Sequence, residues 1–206
     1  MQIVSSFRFD PFHVYLCSRF DGILFENRTD SAYPHESTYA LGSYRNAPFI
    51  TGGSWSVKTE LFNFESNQWL EQADFPDIHN RYVKVSSMII DHMSNSYFRI
   101  TYYATVSSSD SVYVIGGARD NRSSHAITRF RNNVWQNVGN LLEWRSSHGA
   151  IKYENRVMII GGEYTYPTEI WNMNSTVTEA INPTLTGRHY AYGNALFIVD
   201  KDFCKK

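Results

Sequence analysis

Short apolar runs alternate with polar turns along most of the chain, and no segment keeps the spacing of a long amphipathic helix. Three of the runs are almost continuously apolar, and each ends in a pair of glycines. Their shortness and their β-branched and aromatic residues predict strands covered on both faces. A turn-forming Asn or Asp opens each run. The pattern therefore predicts an all-β protein, with its three marker segments at Asn46–Gly53, Asp110–Gly117 and Asn155–Gly162.

A second short strand precedes each glycine pair at a constant distance. An aromatic residue or His followed by a small residue (Ala40, Ala104 or Gly149) stands there, and the first glycine follows 12 positions after the small residue in all three copies. A hairpin explains this constancy, because loop length fixes strand register. A third and a fourth strand are predicted downstream, with Trp69 and Trp135 in the fourth strand of the first two copies.

Four antiparallel strands in a unit of about 45 residues are typical of a propeller blade. The glycines are expected to adopt positive φ and to let another backbone come close. The units cover approximately residues 37–100, 101–144, 145–187 and 188–206, within one domain spanning 1–206. The structural repeat positions are Gly52, Gly53, Gly116, Gly117, Gly161, Gly162, Trp69, Trp135, Arg145 and Arg188.

These residues resemble the kelch repeat, in which an Arg, a His-Gly-Ala-like strand, a strand ending in Gly-Gly and a Trp follow one another. The best match runs from Arg145 to Gly162, and the resemblance covers roughly residues 37–200. It implies a kelch-type β-propeller. The chain departs from the pattern at Asp200–Lys201, which replace the last glycine pair, and in an insertion at about 77–98.

The last unit offers only a first and a second strand. Residues 13–27 predict a hairpin, with its turn at Asp21–Gly22, that would complete this blade and close a ring of about four blades. The alternative is an open, partial propeller. Closure would bring Cys17 and Cys204 into one blade, where they would form a disulfide or stay as two free thiols.

The formal net charge of −1 argues against a nucleic-acid or anionic-membrane surface. No apolar run is long enough for a membrane-spanning helix, and the first residues lack the apolar core of a signal peptide. We therefore expect no membrane insertion. The compartment is left open between the cytoplasm and, for a chain truncated at its N-terminus, the extracellular space.

The sequence predicts neither a cofactor nor a metal site, because no two of the 7 His residues have metal-ligand spacing. Phosphate-binding and nucleophile motifs are also missing. Three Asn-X-Ser/Thr sequons fall at predicted turns, where they would be N-glycosylation sites in a secreted protein or chance matches in an Asn-rich chain. They begin at Asn27, Asn121 and Asn174.

The resemblance implies a non-enzymatic scaffold that binds another protein. The loops that follow the glycine pairs are the expected binding surface, because scaffold-borne loops often carry function. The repeat arginines are expected to stack on Trp or to bond turn carbonyls instead of binding a ligand. The alternatives are an extracellular adhesion or matrix protein and a galactose-oxidase-like copper enzyme. The candidate partner-binding residues are Trp55, Lys58, Arg119, Arg122, Tyr164 and Tyr166.

Overall fold

The computed structural model describes residues 17–20, 25–33, 35, 40–53, 56–76, 100–101, 103–119, 122–163 and 167–181. All regular secondary structure in these ranges is β, which confirms the predicted class. The described residues contain three four-stranded antiparallel sheets, and none of the sheets closes into a barrel. Within the same ranges, no helix has the length and apolar character needed to cross a membrane.

A hairpin and the first four-stranded sheet come first along the chain. The hairpin consists of β1 (Cys17–Phe20) and β2 (Phe25–Arg28), and the sheet of β3 (Ala40–Tyr44), β4 (Ala47–Thr51), β5 (Thr59–Asn63) and β6 (Gln68–Gln72). Neighbouring strands pair in chain order.

The middle sheet is the most elaborate one. Its strands are β7 (Ile100–Thr101), β8 (Ala104–Ser107), β9 (Val112–Ile115), β10 (Ala118–Arg119), β11 (Arg122–Arg131) and β12 (Val134–Arg145). Strands β8, β9, β11 and β12 form the four-stranded unit, and the short strands β10 and β7 extend it from β11.

The third sheet repeats the simple order of the first. It consists of β13 (His148–Tyr153), β14 (Arg156–Gly161), β15 (Thr168–Asn172) and β16 (Thr178–Ile181). The first strands of the three sheets lie next to each other, since β8 contacts β3 on one side and β13 on the other.

The register deduced from the 12-residue spacing is confirmed. In every sheet the small residue of the first strand lies opposite the residue that precedes the glycine pair. The three pairs are Ala40 with Thr51, Ala104 with Ile115, and Gly149 with Ile160.

The next sheet also packs closely against the first glycine of a pair, as Gly52 and Gly116 show. All six glycines of the pairs have positive φ, as predicted. A Cβ on Gly116 would lie 2.6 Å from Cε1 of His148 and 2.7 Å from the carbonyl oxygen of Arg145. A Cβ on Gly52 would collide with the hydroxyl of Tyr103 in the same way. The glycines thus serve both the backbone conformation and the packing of one sheet on the next.

The hydrophobic core lies between the sheets. One cluster joins the first and middle sheets through Phe49, Val112 and Phe130. A larger one joins the middle and third sheets, where the rings of Tyr113 and Trp171 meet edge to face at 5.3 Å. Each sheet therefore buries its faces against its neighbours.

The N-terminal hairpin is present, but its turn differs from the prediction. Phe20 pairs with Phe25, so four residues separate the strands instead of the two-residue turn at Asp21–Gly22. Asn27 consequently lies within β2 and not at a turn.

Asn174 lies exposed in the turn between β15 and β16, as predicted. Several other predictions fall outside the described residues: Asn121, the insertion at 77–98, Arg188, Cys204 and the whole unit 188–206.

Candidate functional site

An exposed apolar patch lies beside the glycine loop of the middle sheet. The amide of Gly117 donates to the carbonyl of Arg145 at 2.8 Å, which brings the end of β12 against that loop. Leu142 and Trp144, near this end, are both 50% exposed. The Trp144 ring lies 4.9 Å from the ring of His125 on β11. We call Leu142, Trp144 and His125 the β12 patch.

One feature of the sequence indicates this patch. Trp69 and Trp135 occupy the repeat position of the fourth strand, so Trp144 is an additional tryptophan outside the repeat. Exposure also alternates along the end of β12, where Leu141 is buried while Leu142 and Trp144 face outward. Alternation of this kind marks a strand with one solvent-facing side.

Lys58, one of the predicted partner-binding residues, contacts two carboxylates and an aromatic ring. Its ammonium lies 2.7 Å from a carboxylate oxygen of Glu71 and 3.1 Å from one of Asp74, and 5.2 Å from the ring centre of Tyr33. Hydrogen bonds to Glu71 and Asp74 raise the pKa of Lys58 well above its usual value. Lys58 is thus a permanently charged surface group, already engaged by two carboxylates.

The remaining loop candidates are only partly described. The backbones of Arg119 and Arg122 face each other across the β10–β11 hairpin. Trp55, Tyr164 and Tyr166 lie outside the described residues.

A buried ion pair organises the third sheet. Glu169 on β15 accepts hydrogen bonds from Nε and Nη2 of Arg145 at 3.0 and 2.8 Å, and both side chains are fully buried. The same carboxylate accepts from the Leu142 amide at 2.8 Å and from the Thr178 hydroxyl. Because a buried charge is costly unless it is paired and hydrogen-bonded, this saturation is what the fold requires.

Arg145 also bonds the backbone, as predicted for the repeat arginines. It donates to the carbonyl oxygens of Gly161, at 2.8 Å, and of Pro167. The side chain therefore joins the end of β12 to the glycine loop of the third sheet.

The first sheet contains the matching arrangement with a histidine. Nε2 of His35 lies 2.8 Å from Glu60 on β5, and Nδ1 lies 2.7 Å from the carbonyl oxygen of Gly52. The Ala32 amide and the Ser31 hydroxyl also donate to Glu60. Burial raises the pKa of Glu60, but these hydrogen bonds outweigh it and hold the pKa below its usual value.

Both ring nitrogens of His35 therefore lie within hydrogen-bonding distance of an oxygen atom, one on the Gly52 carbonyl and the other on the Glu60 carboxylate. His35 thus contacts Glu60 in the first sheet as Arg145 contacts Glu169 in the third.

The two chain segments that supply these groups have the same spacing. Counting from Thr29 and from Gly139, the third residue onward (Ala32 or Leu142) donates its amide to the buried glutamate, and the sixth (His35 or Arg145) contacts the same carboxylate. Thr29 and Gly139 both lie against an indole of the following sheet: Trp69 donates to the Thr29 carbonyl at 2.9 Å, and a Cβ on Gly139 would lie 3.3 Å from the indole nitrogen of Trp171.

The junction between the first and middle sheets begins with the same contact, an indole that bonds the residue following a strand. The indole N–H of Trp135 donates to the carbonyl of Ala73 at 2.9 Å. Ala73 directly follows β6, just as Thr29 directly follows β2. The hairpin β1–β2 is therefore related to the first sheet as β5–β6 is related to the middle sheet.

The middle sheet lacks the buried glutamate. Thr128 lies opposite Val114, two residues before the glycine pair, where the other sheets have Glu60 and Glu169 opposite Ile50 and Ile159. Its hydroxyl is buried and has no hydrogen-bond partner within the described part of the chain.

Tyr103 and His148 occupy equivalent positions with different consequences. Burial raises the pKa of the Tyr103 phenol, and a hydrogen bond with the backbone of Gly53 partly offsets this. Burial and the charge of Arg145 lower the pKa of His148 to about 3, opposed only weakly by the backbone of Ile115. Within the described ranges neither ring nitrogen of His148 has a hydrogen-bond partner. His148 is therefore a neutral packing residue.

No group of three or more His, Cys, Asp or Glu that could hold a metal ion occurs among the residues that the structure describes. The chain matches no protein-family model and no curated protein. The arrangement that stands out is accordingly an exposed aromatic patch on a rigid β framework.

Proposed function

We propose that the chain is a kelch-type β-propeller that acts as a non-enzymatic scaffold and binds another protein through the side that carries the glycine loops. The observation that supports this best is the β12 patch. A half-exposed tryptophan next to an equally exposed leucine is the type of surface that supplies binding energy at protein interfaces. Arg145, buried beneath the same strand end, holds the backbone of the patch in place.

The test is quantitative binding of a captured partner to Trp144→Ala. We expect the affinity to fall about tenfold or more, because a buried aromatic anchor contributes most of the energy at a hot spot. Tyr153→Ala is the matched control, since Tyr153 is also exposed but ends β13, next to the turn at the other end of its sheet. Equal affinities of the two variants would refute binding at this side.

The copper-enzyme alternative is tested separately. Stoichiometric copper in the purified protein, measured by elemental analysis, would overturn the scaffold proposal.

We further propose that the hairpin β1–β2 provides the outer two strands of the blade whose inner strands come from residues 188–206. The equivalent placement of Thr29 and Ala73 supports this closure of the ring. Cys17 and Cys204 are the only cysteines, so a short bifunctional thiol reagent tests it directly. Closure predicts a native disulfide or an efficient intramolecular cross-link. Single adducts on each thiol, with no cross-link, would argue for an open chain.

A further inference from the structure

The β11–β12 hairpin of the middle sheet carries a second candidate site. A pocket of about 300 Å³ opens at its turn, at the opposite end of the hairpin from Trp144. This is the size of a small ligand site. Its lining residues are Arg129, Arg131, Asn132, Val134 and Gln136.

The polar groups of the pocket are donors in excess. Nη2 of Arg129 donates to the Gln136 side chain at 2.8 Å, which fixes the guanidinium plane. The Nε atom of Arg129 is enclosed and lacks an acceptor among the described residues. Arg131 is paired with Asp110 at 2.6 Å, whereas no carboxylate lies opposite Arg129 in the described ranges.

A third arginine reaches the rim of the same pocket. Arg45, in the turn between β3 and β4, donates to the side-chain oxygen of Asn132 at 2.7 Å. Among the described residues, three guanidinium groups and one carboxylate therefore surround the opening, which gives it an excess of positive charge although the chain as a whole carries a net charge of −1.

The fold does not demand an arginine at position 129. In the repeat, the position of Arg129 is held by Leu61 in the first sheet and by Ile170 in the third, and both strands form the same ladder. The charge at this position is thus found in the middle sheet and not in the other two. A departure from an otherwise shared structural pattern points to function more than to stability.

We propose that this pocket binds a carboxylate side chain of an acidic segment in the partner protein. A guanidinium presents parallel donors that match a carboxylate, and the guanidinium groups around the opening outnumber the carboxylates among the described residues. The proposal rests on the scaffold function and adds a second contact, of defined chemistry, at the other end of the same hairpin. A nucleic acid would require a longer basic stripe than one pocket on a chain without net positive charge.

The probe is a fluorescently labelled, blocked tetraglutamate peptide, with tetraglutamine as its neutral counterpart, titrated against the full chain. We expect saturable binding of tetraglutamate only. Arg129→Gln should weaken it about tenfold, and Arg129→Lys should weaken it less, because lysine keeps the charge and loses the parallel donors. Arg156→Gln, at an exposed arginine on β14, is the matched control and should leave the affinity unchanged.

Thermal melts establish that each variant is folded before its affinity is compared. Equal affinities for Arg129→Gln and Arg156→Gln, equal binding of tetraglutamine, or tighter binding of an oligothymidylate than of tetraglutamate would each overturn the proposal. Trp144→Ala should leave tetraglutamate binding intact, so failure of the β12 patch and failure of this pocket give different results.

Discussion

The first and third sheets bury an equivalent glutamate but pair it with different basic side chains. Arg145 gives Glu169 two hydrogen bonds and donates to two backbone carbonyls as well. His35 has one contact with Glu60 and one with a carbonyl, that of Gly52. A guanidinium carries five N–H donors, whereas an imidazole has only two ring nitrogens. The same junction is thus built in an arginine form with four hydrogen bonds and in a histidine form with two contacts.

The middle sheet shows whether the strand ladder needs an acid at this position. Thr128 stands where the glutamates stand, and the strands pair in the same register without any buried charge. The acid is therefore not required to form the ladder. It holds the segment that arrives from the preceding unit, since Ala32 and Leu142 both donate their amides to it.

Breaking the arginine form of the junction should have the largest effect on stability. Arg145→Met leaves Glu169 buried without its counter-charge and removes donors from two carbonyls. We expect the free energy of unfolding to fall by about 3–5 kcal/mol. Urea denaturation measures this, with Arg156→Met as the exposed control. A loss below about 1 kcal/mol would mean that Thr178 and Leu142 alone satisfy the carboxylate.

The histidine form of the junction should respond less to the loss of its basic side chain. His35→Gln keeps one amide donor for Glu60 but cannot also reach the Gly52 carbonyl, so we expect a loss of about 1–3 kcal/mol. His125→Gln, at a partly exposed histidine, is the control for urea denaturation. A loss as large as that of Arg145→Met would show that the two junctions depend equally on their basic side chains.

The sequence predicted part of the arginine junction in the third sheet and did not predict the histidine junction in the first. The glycine register, the strand order and the backbone bonding of Arg145 followed from local spacing, because hairpins tie pairing to loop length. His35 could not be matched with Arg145, because it is a different residue type and follows a hairpin that has no repeat tryptophan. Trp144 was missed because β12 is irregular: four residues, 141–144, lie opposite His125 alone.

Lowering the pH should remove the stability that the ionised Glu60 gives to the first sheet. The folded-state pKa of Glu60 is lowered, so its ionisation stabilises the fold above pH about 4.5 and that contribution is lost as the pH falls through the folded pKa. The difference in stability between wild type and Glu60→Gln should therefore narrow from pH 7 to pH 3. Urea denaturation across this range measures it, and a constant difference would contradict the assignment.

His148 adds a loss of stability at low pH that wild type and Glu60→Gln share. Its pKa falls from the usual 6.5 to about 3 on folding, so the unfolded state binds the extra proton and stability declines between these values. The decline is about 1.4 kcal/mol per pH unit in the middle of that range. The effect cancels when wild type and Glu60→Gln are compared at each pH.

The smallest expected change is at the position without a charge. Thr128→Val replaces a buried hydroxyl that has no partner among the described residues by a methyl group of similar shape, which removes the cost of keeping that hydroxyl from water. We expect the free energy of unfolding to rise by up to about 1 kcal/mol. Thr105→Val is the matched control, because the Thr105 hydroxyl donates to the Leu41 carbonyl at 2.5 Å and its loss should destabilise. If Thr128→Val destabilised as much as Thr105→Val, the Thr128 hydroxyl would have a partner in solution, and the middle sheet would also depend on a polar contact at this position.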